Sequence, residues 1–285
     1  LPSFNSSIIV KDTKIAFSSI KEEKNFKLDG EIKFSKNFEK FKYSQTFNRK
    51  NKKYNIKVSS SLNESSLNLS QLNYMKKVGQ IAQIDLNVDL LLGKYLLFRS
   101  LDYSSNKNKI IFNKIKLNNN FEIIDLSDLR VKTYIKNVKN NDFSIKKLDK
   151  IVISGEVLDA QPLLKSLFKK NNKKVLSNKF NSDISVNIKK TISGTDDEVF
   201  DLAMIATIKS GSYNKLSLKG NFSENELVEM SIYQVDKNTK TLQLISDRAR
   251  PFIKHFDFVK GFEGGKLVYE TKFFSKKSFS NLSIT

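Results

Sequence analysis

Apolar and polar residues alternate with a period of two along almost the whole chain. Ile32, Phe34 and Phe38 share one phase, Tyr54, Ile56 and Val58 another, and Ile84, Leu86, Val88 and Leu90 form a longer run. Leu129, Val131, Thr133 and Ile135 follow, then Ile184, Val186 and Ile188, and later Val228, Met230 and Ile232. Side chains that alternate in this way point to opposite faces of a strand, so the pattern predicts antiparallel strands with one apolar and one polar face. Leu202, Met204, Ala206 and Ile208 are expected to pair with Leu216, Leu218 and Gly220 across a turn at Gly211-Ser212. The Phe-rich patch of Phe34, Phe38, Phe41 and Tyr43 reads as core.

Two segments break the alternation with a helical period. In the first, Ile151, Ile153, Gly155 and Val157 form a strand, Asp159 supplies a cap, Pro162 sits in the first turn, and Leu163, Leu164, Leu167 and Phe168 make one stripe. In the second, Leu242 and Leu244 lead to Ser246-Asp247, whose side-chain oxygens suit a helix start, with Pro251 again in the first turn. Ala249, Phe252, Ile253, Phe256 and Val259 give the apolar face, Gly261 and Gly264-Gly265 stop the helix, and Leu267, Tyr269, Thr271 and Phe273 resume the strand period. The sequence thus predicts an all-β fold, an elongated, twisted antiparallel sheet carrying two short helices over about 159–169 and 247–260. The apolar face of such a sheet needs a cover, because large exposed apolar patches are rare. By composition alone, a closed sandwich or barrel and an open trough remain equal solutions.

These two units carry a resemblance. Ile153-Ser154-Gly155-Glu156-Val157-Leu158-Asp159-Ala160-Gln161-Pro162-Leu163-Leu164 resembles the G-x-x-x-D-A-x-P-L-L strand-to-helix step of AsmA-like proteins, in particular the YhdP-type subgroup, related to TamB and other bridge-like envelope proteins. Leu244-Ile245-Ser246-Asp247, followed by a short helix and Gly261-Phe262-Glu263-Gly264-Gly265-Lys266-Leu267, resembles that family's second signature; Arg248-Ala249-Arg250 stands where the family has Asp-Ala-Gly. The resemblance runs from about Leu91 to Leu282 and divides the chain into a sheet part, 1–150, and a part with the strand-helix-strand units, 151–285.

The resemblance implies a trough rather than a closed barrel. It also implies a non-enzymatic segment of a bacterial envelope protein, periplasmic and tethered to the inner membrane through a segment outside this one, that conducts phospholipid acyl chains between inner and outer membrane. Outer-membrane components would be further partners. In that reading the groove is lined by Ile184, Val186, Ile188, Leu202, Met204, Leu216, Leu218 and Ile232, and Phe252, Ile253 and Phe256 of the second helix close it.

Composition narrows the alternatives. The chain has 285 residues and a formal net charge of +20, which raises nucleic acid as a partner. Against this, the positive charge is nearly all Lys on the polar phase of strands, as in Lys53-Tyr54-Asn55-Ile56-Lys57-Val58, where it solvates a face and protects an edge. Nucleic acid is not an expected partner. With no Cys, neither disulfides nor thiolate metal sites exist. With Gly 10 and Pro 3, turns fall to other residues, and Asn118-Asn119-Asn120, Asn140-Asn141-Asp142 and Asp236-Lys237-Asn238-Thr239 are the candidates.

The stretch Ile81 to Phe98 is interrupted by Asp85, Asp89 and Lys94 and fails as a transmembrane helix. The chain starts at Leu1 and stops at Thr285 just after a new strand pattern, so it reads as an excerpt of a longer protein. His255, the one histidine, has no nucleophile motif near it, and Asp196-Asp197-Glu198 reads as a solvated turn. No catalytic residue, cofactor or metal is expected. The alternative function is an extracellular β-sandwich module that recognises protein or polysaccharide, with Tyr103 and Tyr213 as loop hot spots.

Overall fold

The computed structural model describes residues 9–34, 37–163, 176–194, 197–236, 239–253, 264–273 and 278–285. The fold is all-β with two short helical turns, and the chain divides into two compact units, Leu1–Ser70 with Tyr74–Ile135 and Gln71–Asn73 with Lys136–Thr285. Each unit is an open, twisted, largely antiparallel sheet; in neither does the first strand pair with the last among the described residues, so neither is a closed barrel.

The first unit is a meander. β1 (Val10–Ile20), β2 (Glu23–Phe34), β3 (Asn37–Asn48) and β4 (Lys53–Ser61) pair in chain order. β5 (Leu67–Leu69) and β6 (Tyr74–Lys76) form a small separate ladder. β7 (Gln83–Leu91) then rejoins β4, followed by β8 (Tyr95–Ser105) and β9 (Asn108–Leu117), and both β10 (Ile123–Asp125) and β11 (Asp128–Ile135) pair with β9. The hairpin turns need positive φ to match the strand twist. With little glycine to hand, Lys21 (φ 46°), Lys52 (φ 52°) and Asn106 (φ 53°) supply it.

In-phase residues line up across these strands. Leu28, Tyr43, Val58, Leu86, Leu101 and Phe112 form one cross-strand row, and Ile84, Tyr103 and Ile110 the next. Phe41 joins this face and is buried, but Phe38 opposes Lys33 on the other phase. The expected Phe-rich core patch is therefore split between faces. The side chain of Phe34 lies outside the described residues. Tyr103, offered as a loop hot spot, is instead 2% exposed within β8, edge-on to Tyr74 with their hydroxyls 2.8 Å apart.

The segment between β4 and β7 is locked by buried charge. Glu39 accepts from the backbone N–H groups of Asn63 and Glu64, and Lys76, fully buried, donates to the carbonyls of Ser65, Asn63 and Lys77. Burial lowers the Lys76 pKa, and Glu39 and Glu64 partly oppose this.

On the polar face, a register shift between Asn87 and Val88 leaves Arg99 unpaired on β8. Its Nε donates to Asp89 at 2.6 Å, joined by Lys53 at 2.9 Å and Asn55 at 2.9 Å. Asp89 is buried, and desolvation by itself would raise its pKa; the hydrogen bonds from Arg99, Asn55 and Lys53 outweigh it and hold the carboxylate below its usual range. A depressed folded-state pKa gives stability that is present above the unfolded value of about 3.9 and is lost as pH falls through the folded one. Between pH 5 and pH 3 the urea midpoint of the wild type should therefore drop more than that of Asp89→Asn. Equal drops in the two proteins would show that Asp89 is not the acid-labile group.

The second unit contains β12 (Val138–Lys147), β13 (Ile151–Asp159), β14 (Ser182–Ile192), β15 (Glu198–Lys209), β16 (Ser212–Ser223), β17 (Glu226–Gln234), β18 (Lys240–Ser246), β19 (Leu267–Phe273) and β20 (Ser278–Ile284), paired in chain order. All these pairings are antiparallel except β13 with β14, which is parallel from Ile151↔Ile184 to Asp159↔Ile192. A parallel pair needs a long crossover, which the chain from 160 to 181 supplies. Its helix begins at residues 161–163, and the rest of the expected 159–169 helix lies outside the described residues. The second helix is described from Arg250 to Ile253, inserted between the antiparallel neighbours β18 and β19; residues 254–260 of the expected helix, with Phe256 and Val259, lie outside the described residues, as does His255.

One expected turn is wrong. Asn140-Asn141-Asp142 lies inside β12, with both asparagines buried, and the turn is one step earlier at Lys136 (φ 47°) and Asn137 (φ 67°). The buried amides have backbone to satisfy: Asn140 and Asn141 donate to the carbonyl of Leu72, and Asn141 accepts from the N–H of Asp159. Asp159 in turn accepts from the N–H of Gln161, the cap the sequence predicted, and from Asn73.

Candidate functional site

The candidate site is the apolar face of the second unit. Cross-strand register aligns the in-phase residues of β13 to β19 into rows. One row runs Ile151, Ile184, Ala206, Leu216, Ile232, Leu242; the next runs Ile153, Val186, Met204, Leu218, Met230, Leu244. A third begins Gly155, Ile188, Leu202 and continues through Val228, Ser246 and Leu267 to Ile284. All eight residues read from the sequence, Ile184, Val186, Ile188, Leu202, Met204, Leu216, Leu218 and Ile232, share this face. Ile184, Val186, Ile188 and Leu216 are buried, whereas Leu202, Met204, Leu218 and Ile232 keep part of their surface open. Rows two residues apart are roughly 7 Å from each other, so the three rows make an apolar strip on the order of 14 Å wide.

A bulge adjusts the face near its end. Strict alternation would place Phe200 beside Leu202, but Asp201 has a φ of 49° and the register shifts between Phe200 and Ala203. Phe200 is thereby turned out and Val199 turned in, where it meets Phe222 and Val228.

The third row ends against the second helix. Phe252 packs on the cluster of Val199, Phe222 and Val228, while Ile253 is buried with Ala249 and Leu267. Two of the three residues read as closing this end are thus seen on the apolar face, and Phe256 lies outside the described residues. Local chemistry sets the helix start. Ser246 Oγ accepts from the N–H of Arg248, Ala249 donates to the carbonyl of Gly265, and Gly265 takes a φ of 92° that glycine adopts without a Cβ penalty. Asp247 does not cap the helix. Its carboxylate accepts from the N–H of Leu227 across the sheet and pairs with Lys266, and these two partners lower its pKa.

Sequence reasoning passed over the two arginines that strap this helix. Arg248 Nε donates to Glu226 at 3.0 Å and its guanidinium lies 5.4 Å over the Phe222 ring; hydrogen bonding from Arg248 and Ser223 lowers the Glu226 pKa. Arg250 faces Asp197 at 3.7 Å. Asp197 is buried rather than part of a solvated turn, with its carbonyl accepting from Ser193, and Glu198 pairs with Lys190 at 2.6 Å. The available signal was Arg itself, since two of five arginines fall within three residues.

The first unit offers a second depression of about 510 Å³, on its polar face, lined among others by Lys27, Lys42, Lys57, Asp29, Asp85 and Asp102. Its charges partly neutralise one another, with Lys42 3.6 Å from Asp29. Among the described residues there is no cluster of three or more His, Asp or Glu that could hold a metal ion, and no helix is long and apolar enough to cross a membrane.

No family profile, curated protein or solved structure matches the chain.

Proposed function

We propose that this chain is a non-enzymatic, AsmA-like segment of a bacterial envelope protein, and that the apolar face of its second unit binds and conducts phospholipid acyl chains between inner and outer membrane. The observation that carries this reading is the set of continuous apolar rows whose central members, Met204, Leu218, Met230 and Leu244, are neither exposed nor fully buried. A sandwich core would bury them, and a solvated sheet would place polar residues there. An acyl chain needs apolar surface without specific hydrogen bonds, and a strip on the order of 14 Å wide takes the two chains of a phospholipid side by side. The segment works in the periplasm, tethered to the inner membrane through a part of the protein outside this segment. The helix at Arg250–Ile253 sets where the strip ends.

A photo-crosslinking amino acid at Leu218 should capture phospholipid when the protein is expressed in a bacterial envelope, and the same probe at neighbouring Ser217, on the opposite face, should not. Equal labelling at both positions, or none at Leu218, would remove the reading.

A further inference from the structure

The sheets of the two units end in strands of opposite character. β1 carries Lys11, Asp12 and Lys14, Asp12 takes a φ of 46°, and the register with β2 shifts between Lys11 and Lys14. Charges and a bulge are the devices by which a protein keeps a free strand edge from pairing. β20, Ser-Phe-Ser-Asn-Leu-Ser-Ile, has neither. It pairs with β19 without a register shift from Leu267↔Ile284 to Phe273↔Ser278, and no strand pairs with its outer side among the described residues. Every other described strand of this length or longer holds at least one charged residue, in a chain with 50 Lys and Arg and 30 Asp and Glu. The apolar rows also run out at this edge, through Tyr269↔Leu282 and Leu267↔Ile284, leaving Leu282 40% exposed.

We propose that β20 pairs antiparallel with β20 of a second copy of this chain, joining two second-unit sheets across a two-fold axis. Reversed about Asn281, the strand places Ser280 opposite Leu282 and Phe279 opposite Ser283 of the other copy. Each residue thus meets one of its own phase, and the apolar face of one sheet continues into that of the other. A two-fold pairing sets a strand against itself, so any charge near its centre faces a like charge. An uncharged strand is the one edge that escapes this repulsion, whereas β1 would bring its own lysines together. The proposal stands independently of lipid binding.

Sedimentation of the full chain tests it. The species of twice the monomer mass should grow with protein concentration and with salt, because salt screens the repulsion between two molecules of charge +20. Asn281→Lys with Ser283→Lys, both at exposed positions of the edge, should raise the dimer Kd at least tenfold while leaving the thermal melt in place. Since the chain has no cysteine, Asn281→Cys should give a disulfide-linked dimer under mild oxidation, and Ser18→Cys on β1 should give far less. A chain monomeric at all concentrations, a dimer that survives the double lysine variant, or equal cross-linking at both cysteines would each overturn the pairing.

Discussion

Replacing Ile253 by Ala will destabilise the second unit by about 2–5 kcal/mol, the range for deleting a buried aliphatic side chain. Ile253 is 1% exposed, and its neighbours Ala249 and Leu267 are buried to the same degree. These neighbours are fixed by the ladder of β18 with β19 and by the hydrogen bond from Ala249 to Gly265, so they cannot collapse into the space left behind. Ile253→Asp will cost more, since it adds an unpaired carboxylate in a site without a donor. Phe252→Ala, at a half-buried position, will cost less than Ile253→Ala. Urea unfolding reads all three, as a shifted midpoint at constant slope. Wild-type stability in Ile253→Asp would mean that the helix presents this side chain to solvent and does not close the apolar strip.

The second large effect is expected at Gly155. A Cβ built there would lie 2.3 Å from the carbonyl oxygen of Asp142 and 2.6 Å from the Cα of Phe143. Both obstacles are backbone atoms of β12, held by the register shift between Asp142 and Phe143, so no side chain can rotate away. Gly155→Ala should therefore cost about 3 kcal/mol, at the upper end for overpacking. Gly264→Ala is the control: it meets nothing within 4 Å, and a change within about 0.5 kcal/mol is expected. If both substitutions were equally mild, β12 would have to move freely at this point, and the close approach would play no part in holding the pair.

Period-two alternation made the strands legible because one buried face imposes it residue by residue. The hairpin of β15 with β16 has the expected partners, Met204 with Leu218 and Ala206 with Leu216. Helix starts were legible at Asp159 and near Ser246 through capping chemistry, which is local. What escaped depends on the partner rather than the residue. Asn140 and Asn141 have turn composition, and only the carbonyl of Leu72, distant in sequence, explains why a strand buries them. Arg248 finds Glu226, and Arg250 finds Asp197, over separations that no spacing rule covers. Phe200 and Phe38 mislead because a bulge or a hairpin resets the phase, and alternation counted across either one assigns the wrong face.

The parallel joint between β13 and β14 bears on how the second unit folds. Each antiparallel pair from β14 to β18 closes a short local loop, and such pairs form early because little chain entropy is lost. The parallel pair closes the chain from 160 to 181 before its first contact, Ile151 with Ile184, is made. Going from a hairpin of a few residues to a loop of this length adds on the order of 2 kcal/mol of closure entropy. The meander from β14 onward is then the kinetic nucleus, and β12 and β13 join it last. Gly155 lies on that late-forming seam. Damage there will show mainly as faster unfolding, with the folding rate little changed.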